Sequence, residues 1–203
     1  MAKLVEIIKN NKNDIIKPVA VLLAICIIIP LALSLTNKIT KDKIAELDEK
    51  NSRETMADLI EADNFTEGEF KNGDTEFTYY SAVKNGETVG FIFKTAEKGY
   101  GGDVSVMTAV NTDGTVKSVA ILDVSNETPG LGQNAAKESF YSQYTNKKSG
   151  ISLVKNGAES AKNEVNAVTG ATITSTAVNK AVNKALKEFE SIKSSKEVTE
   201  GEE

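Results

Sequence analysis

The longest uninterrupted apolar run in the chain is Pro18 to Leu35, PVAVLLAICIIIPLALSL, with no charge in 18 positions. As a helix it would extend ~27 Å, close to the ~30 Å thickness of a bilayer's hydrocarbon. Pro18 suits a first helical turn, and a membrane span tolerates the bend that Pro30 would introduce. Lys17 and Lys38 sit where long side chains can reach headgroups. A buried core helix would need a polar face, and this run has no polar side chain before Ser34. The pattern predicts a short segment over 1–17 and an uncleaved transmembrane anchor over 18–36. A cleaved signal peptide is the alternative, with Ala32-Leu33-Ser34 as its small-x-small site, although the run is long for an apolar core of ~7–15 residues.

After the anchor the pattern changes twice. Ile39, Ile44, Leu47, Met56, Leu59 and Ile60 are spaced among polar residues without Pro or Gly, which predicts a helical stalk over 37–62. The spacing is too irregular for sustained coiled-coil heptads. From Phe77 the period becomes that of strands. Phe77–Val83 and Val89–Phe93 flank an Asn85-Gly86 turn signal, and the alternating run from Val104 to Val110 is followed by Asn111–Gly114 and Val116–Val124, so two hairpins are expected. Residues 134–144 read as helical, and Ile151–Val154 as a short strand. Val178, Val182, Ala185, Leu186 and Phe189 give one apolar face to a helix from Ser175 to about Glu190. The acidic tail, 194–203, has no apolar cluster and is expected to be disordered. The fold class is therefore α+β, an antiparallel sheet with packed helices over 63–193, preceded by one transmembrane helix.

Composition narrows the chemistry. Lys and Arg number 24 against 29 Asp and Glu, for a net charge of −5, which argues against a nucleic-acid partner. Lys3, Lys9, Lys12 and Lys17 outweigh Glu6 and Asp14 at the start, so the excess of acid lies beyond residue 17. Positive charge also follows the span (Lys38, Lys41, Lys43, Lys50, Arg53), and charge alone gives no orientation. Without histidine, His-ligated haem, Rieske centres and most catalytic zinc sites are excluded. The single cysteine, Cys26, cannot hold an iron–sulfur cluster. No metal site is expected, and any redox group must be organic.

Three glycine-rich segments remain as candidates. Lys98-Gly99-Tyr100-Gly101-Gly102 matches neither a dinucleotide fingerprint nor a P-loop; it is either a loose turn or a place for close approach of backbone to a ligand. Glu127-Thr128-Pro129-Gly130-Leu131-Gly132 predicts a rigid type II turn that can offer N–H groups and the Thr128 hydroxyl, or simply a turn. Thr169-Gly170-Ala171-Thr172-Ile173-Thr174-Ser175 directly precedes the last helix. Unpartnered first-turn N–H groups and the helix dipole make such a place favourable for a phosphate. An N-cap by Thr174 or Ser175 is the simpler reading, but it accounts for one hydroxyl of four.

The TGATITS segment resembles the flavinylation motif S/T-G-A-T-x-T of the FMN-binding domain family. The order G-Y-G-G, E-T-P-G-L-G and T-G-A-T-I-T-S is similar to the G subunits of Rnf ion-translocating electron-transport complexes. The C subunits of sodium-pumping NADH:quinone reductases share the domain and the anchor, though usually in longer chains. The resemblance covers the anchor and nearly all of the soluble domain. It implies an FMN phosphate joined as a phosphodiester to the last threonine of the motif, here Thr174. It also implies a cofactor site comprising Thr169, Gly170, Ala171, Thr172, Ser175, Glu127, Thr128, Gly130, Leu131, Gly132, Tyr100, Gly101 and Gly102. The family commonly has an aspartate three residues before the motif, and Asn166 stands there in this chain.

The expectation is an electron-transfer subunit, without a catalytic residue of its own, in a membrane complex coupling ferredoxin:NAD⁺ electron transfer to ion translocation. Its implied partners are the other subunits, membrane lipid and a flavin transferase. The resemblance further implies a single pass through the cytoplasmic membrane, with the N-terminus inside and the FMN domain outside. The alternatives are the corresponding subunit of a sodium-translocating NADH:quinone reductase, a tethered FMN- or phosphate-binding module, and a purely structural anchor.

Overall fold

The computed structural model describes residues 12–73 and 75–200. Residues 1–11 and 201–203, the outer parts of the expected N-terminal segment and acidic tail, lie outside the described residues. The chain forms two compact units, Met1–Ser52 and Arg53–Glu203.

Helix α1 (Lys12–Leu59) is continuous through the segments expected to be anchor and stalk, and includes both Pro18 and Pro30. Within it, Ile16–Lys41 is long and apolar enough to cross a membrane, and its side chains are exposed. Thr36 and Thr40 donate their hydroxyl protons to the carbonyls of Ala32 and Thr36, so these side chains satisfy themselves on the helix.

The second unit is built on five antiparallel strands in sequential order: β1 (Asn64–Asn72), β2 (Thr75–Lys84), β3 (Glu87–Lys98), β4 (Asp103–Asn111) and β5 (Val116–Asp123). The Asn85-Gly86 signal is a tight hairpin in which both residues have positive φ, the geometry that favours this dipeptide. Asp113 closes the β4–β5 turn by accepting from the Thr115 N–H and hydroxyl, at 2.9 and 2.6 Å. Strand β1 was not apparent from the sequence. It is a polar edge strand whose half-buried aromatic side chains are Phe65 and Phe70, the latter stacked on Phe77 with centroids 4.9 Å apart.

Both faces of the central strands are covered. Phe91, Phe93, Val104, Val106 and Val110 join one core with helix α3 (Thr172–Glu200), while Ile92, Met107 and Ala109 join Met56, Leu59 and Ile60 in a second. Thr95, buried beneath α3, donates its hydroxyl to the Ala181 carbonyl at 3.0 Å.

The remaining structure corrects several expectations. Residues 134–144 are a 3₁₀ turn (Gly132–Ala136), a four-residue helix α2 (Glu138–Tyr141) and another 3₁₀ turn, with Ala135, Phe140 and Tyr144 buried in the core and Tyr141 packed at its edge. Strand β6 (Ser152–Val154) pairs in parallel with β7 (Glu164–Asn166), a three-residue strand too short to leave a periodic signal. Helix α3 starts at Thr172, three residues before the expected Ser175, and continues through 194–200, where disorder was expected. The Ser194 hydroxyl there donates to the Glu190 carbonyl, and no proline or glycine interrupts the chain before Gly201.

Candidate functional site

The three glycine-rich segments converge at one end of the sheet. The first joins β3 to β4, the second follows β5, and the third turns into α3. They meet in a cavity of about 550 Å³ lined by Tyr100, Glu127, Thr128, Leu131, Gly132, Gly170, Ala171, Thr172, Ile173 and Thr174. That volume falls within the ~300–1,000 Å³ usual for sites of small organic ligands.

At its floor, Thr174 donates its hydroxyl proton to Glu127 Oε2 at 2.5 Å. Both side chains are almost completely buried, at 1% and 3% exposure. The other carboxylate oxygen, Oε1, accepts the Gly101 N–H at 3.0 Å. Burial pushes the Glu127 carboxyl upward, but the Thr174 hydroxyl and the N–H groups of Gly101, Tyr100 and Gly102 outweigh it. The group is held below its ordinary value and is ionised at neutral pH.

This contact leaves no room for a side chain at two of the glycines. A Cβ on Gly99 would lie 2.4 Å from Glu127 Oε1, and one on Gly132 would lie 2.6 Å from Oε2 and 2.8 Å from the Thr174 hydroxyl. On Gly101 it would fall 1.8 Å from the Asn126 carbonyl oxygen. The first segment is closed as a turn by the Gly99 N–H on the Gly102 carbonyl, as its simpler reading expects. Gly130 has φ +77°, as the expected Pro-Gly turn requires. Gly170, also at positive φ, lies against Leu131, so the second and third segments touch.

Neither Thr174 nor Ser175 is a helix cap. Ser175 sits within the first turn, accepting from the Val168 N–H and donating to the Ala171 carbonyl, both at 2.9 Å. It braces the approach to the helix from behind the cavity. Nine residues expected at the site line the cavity, while Thr169, Gly130, Gly101, Gly102 and Ser175 do not. Gly101 and Gly102 act through Glu127 instead.

Ile173, read in the sequence only as the variable position of the motif, is a lining residue. Together with Tyr100 and Leu131 it is exposed, and these are the exposed large hydrophobic residues of the second unit among the described residues. The missed signal was an apolar residue outside the core-facing stripe of its helix. Asn166 lies away from the lining. Its side-chain oxygen accepts from the Ala158 N–H at 2.9 Å, and its backbone N–H donates to Gln143 Oε1 at 2.9 Å.

A buried hydroxyl paired with an ionised carboxylate, a helix N-terminus and three exposed apolar side chains fit a ligand with a phosphate at one end and a flat apolar body at the other. No cluster of metal-ligating side chains occurs among the described residues. The FMN-binding domain family matches residues 99–187, which take in the glycines of all three segments. Over most of its length the chain is similar to the G subunit of the proton-translocating ferredoxin:NAD(+) oxidoreductase complex of Clostridium ljungdahlii, at 34% identity over 88% of this chain and 94% of the relative. It is also similar to the G subunit of the Na(+)-translocating complex of Acetobacterium woodii, at 31% identity over 85% of this chain and 90% of that one. The chain belongs to the family of G subunits of ion-translocating ferredoxin:NAD(+) oxidoreductase complexes. Among solved structures it resembles Shewanella oneidensis NqrC, with a TM-score of 0.49 and 24% identity over 53% of this chain and 54% of that one.

Proposed function

We propose that this chain carries FMN joined through its phosphate to Thr174 Oγ1 and relays electrons within a membrane complex coupling ferredoxin:NAD⁺ electron transfer to ion translocation. The convergence of three separate segments on one cavity, with the motif threonine at its floor, carries this reading. When bound, FMN supplies one- and two-electron chemistry at its ring, which a phosphoester leaves untouched. The chain's residues hold and orient it. The N–H groups that open α3 would stabilise the phosphodiester charge. Tyr100, Leu131 and Ile173 would flank the ring, and Thr128 would offer a hydroxyl at the rim.

The division of labour follows from what the sequence lacks. Without histidine and with one cysteine, the chain leaves iron–sulfur and metal chemistry to other subunits. Those subunits, a flavin transferase and membrane lipid around Ile16–Lys41 are the proposed partners. The resemblance supports a single-pass chain with the FMN domain outside the cytoplasm. Labelling of a single cysteine introduced into the second unit, in intact cells, tests that orientation.

Denaturing gel electrophoresis of protein co-expressed with its transferase tests the covalent link. A fluorescent band is expected for the wild type and none for Thr174→Ala. The same variant in the purified complex should lose ferredoxin-to-NAD⁺ electron flow. A fluorescent Thr174→Ala band would refute attachment at this residue, and unchanged flow would refute the relay.

A further inference from the structure

We propose that Glu127 Oε2 takes the Thr174 proton as the flavin phosphoester forms and keeps that proton in the flavin-loaded protein. The inference rests on the covalent reading above and starts from a direct contact. The Thr174 hydroxyl donates to a buried carboxylate at 2.5 Å, and the other carboxylate oxygen is already engaged by backbone N–H. The carboxylate's partners are this hydroxyl and the N–H groups of Tyr100, Gly101 and Gly102, with the backbone of Gly99 and Gly132 packed against it; none of these groups titrates. The carboxylate is therefore the proton acceptor already in contact with the reacting oxygen.

The step requires a flavin donor whose FMN phosphate carries a leaving group, that is, a flavin nucleotide pyrophosphate. The bond from Thr174 Oγ1 to phosphorus forms, and the pyrophosphate P–O bond breaks. A nucleoside monophosphate dianion leaves, and the hydroxyl proton passes to Glu127. Two negative charges on the donor become one on the phosphodiester and two on the leaving group, balanced by the proton released.

The product explains why the proton stays. Esterified, Thr174 Oγ1 has no hydrogen to donate, and an anionic phosphodiester now adjoins a buried carboxylate. The leading influence holding Glu127 ionised is gone, a like charge has been added, and burial remains. As a neutral acid, Glu127 can donate to a phosphodiester oxygen and remove the repulsion.

Attachment is followed by gel fluorescence with purified transferase and flavin pyrophosphate, on the full-length chain, for wild type, Glu127→Gln and Glu127→Asp. Glu127→Gln retains an acceptor for the Gly101 N–H but lacks the base, so its attachment rate should fall ~10²–10⁴-fold. Glu127→Asp should recover part of the rate. The ratio of wild-type to Glu127→Gln rates should shrink as pH rises and hydroxide replaces the missing base; this ratio cancels the transferase's own pH dependence. Equal rates, or a ratio independent of pH, would overturn the proposal. Infrared spectroscopy of the wild type requires no variant. Loaded protein should show a carboxylic-acid C=O band near neutral pH that the unloaded protein lacks, and absence of that band would equally overturn it. Failure of the covalent reading looks different: wild-type protein that never becomes fluorescent, or Thr174→Ala protein that does.

Discussion

Two long helices carry many of the chain's apolar side chains, and they present them to different surroundings. In α1, the stretch Ile16–Lys41 is apolar on every side, and its leucines and isoleucines are exposed. In α3, Ala177, Val178, Ala181, Val182, Ala185, Leu186, Phe189 and Ile192 recur at spacings of three and four, and all are buried against the sheet. A stripe implies a partner in the same fold, whereas apolarity all round implies a surrounding medium other than water.

The largest effect that separates the two is Leu186→Ala. Leu186 is 1% exposed, and its truncation should destabilise the folded unit by about 2–5 kcal/mol, read from denaturant unfolding. The matched change Leu23→Ala, at a side chain 56% exposed, should leave that unfolding midpoint unchanged. If both changes cost the same, the apolar face of α1 is buried within the protein rather than against lipid. The converse is Leu23→Lys, which should oppose membrane insertion by about 3 kcal/mol. The variant should shift from carbonate-washed membranes towards the soluble fraction without change in the second unit's unfolding. An unchanged membrane fraction would contradict the span.

How legible each region was in the sequence follows the same division. The charge-free run and the α3 stripe were visible because their periods are long and unbroken. Strand β1 was not, since Glu67, Gly68 and Glu69 on an exposed edge give no alternation, and its pairing depends on β2. The middle of β4 reads as alternating, yet Thr108 and Ala109 are both fully buried because each face of the sheet is covered. At the site, the motif indicated Thr174, but nothing local in the sequence pairs it with a carboxylate 47 positions earlier. That contact depends on the tertiary meeting of the second and third segments, and it gives the glycines at 99 and 132 their reason.

A smaller effect lies on the border of the α3 stripe. Burial raises the Glu188 carboxyl from 4.5 to about 6, partly offset by Lys184. Between those values the folded protein keeps a proton that the unfolded chain has released. Stability therefore falls as pH rises from about 4.5 to about 6, and is greatest below that window as far as this group decides. Glu188 is only half-buried, so solvent screening reduces the effect to under about 1 kcal/mol. Glu188→Gln should flatten that part of the stability profile in urea titrations across the window. An unchanged slope would assign it to other groups.

The smallest expected change in stability is the most informative about α3. Ile173 lies in its first turn but outside the buried stripe, at 55% exposure, on the wall of the cavity that Thr174 floors. An apolar side chain exposed on that wall suits the flat ligand proposed above. Ile173→Asn should leave unfolding within about 0.5 kcal/mol of wild type, as for other surface changes. The Thr174 hydroxyl is untouched, so covalent flavin should still form. The replacement puts a polar amide beside the ring, so flavin absorption and fluorescence should shift, and with them the reduction potential. If stability drops while the flavin spectrum stays fixed, Ile173 belongs with the buried stripe; a spectral shift at constant stability assigns it to the cofactor.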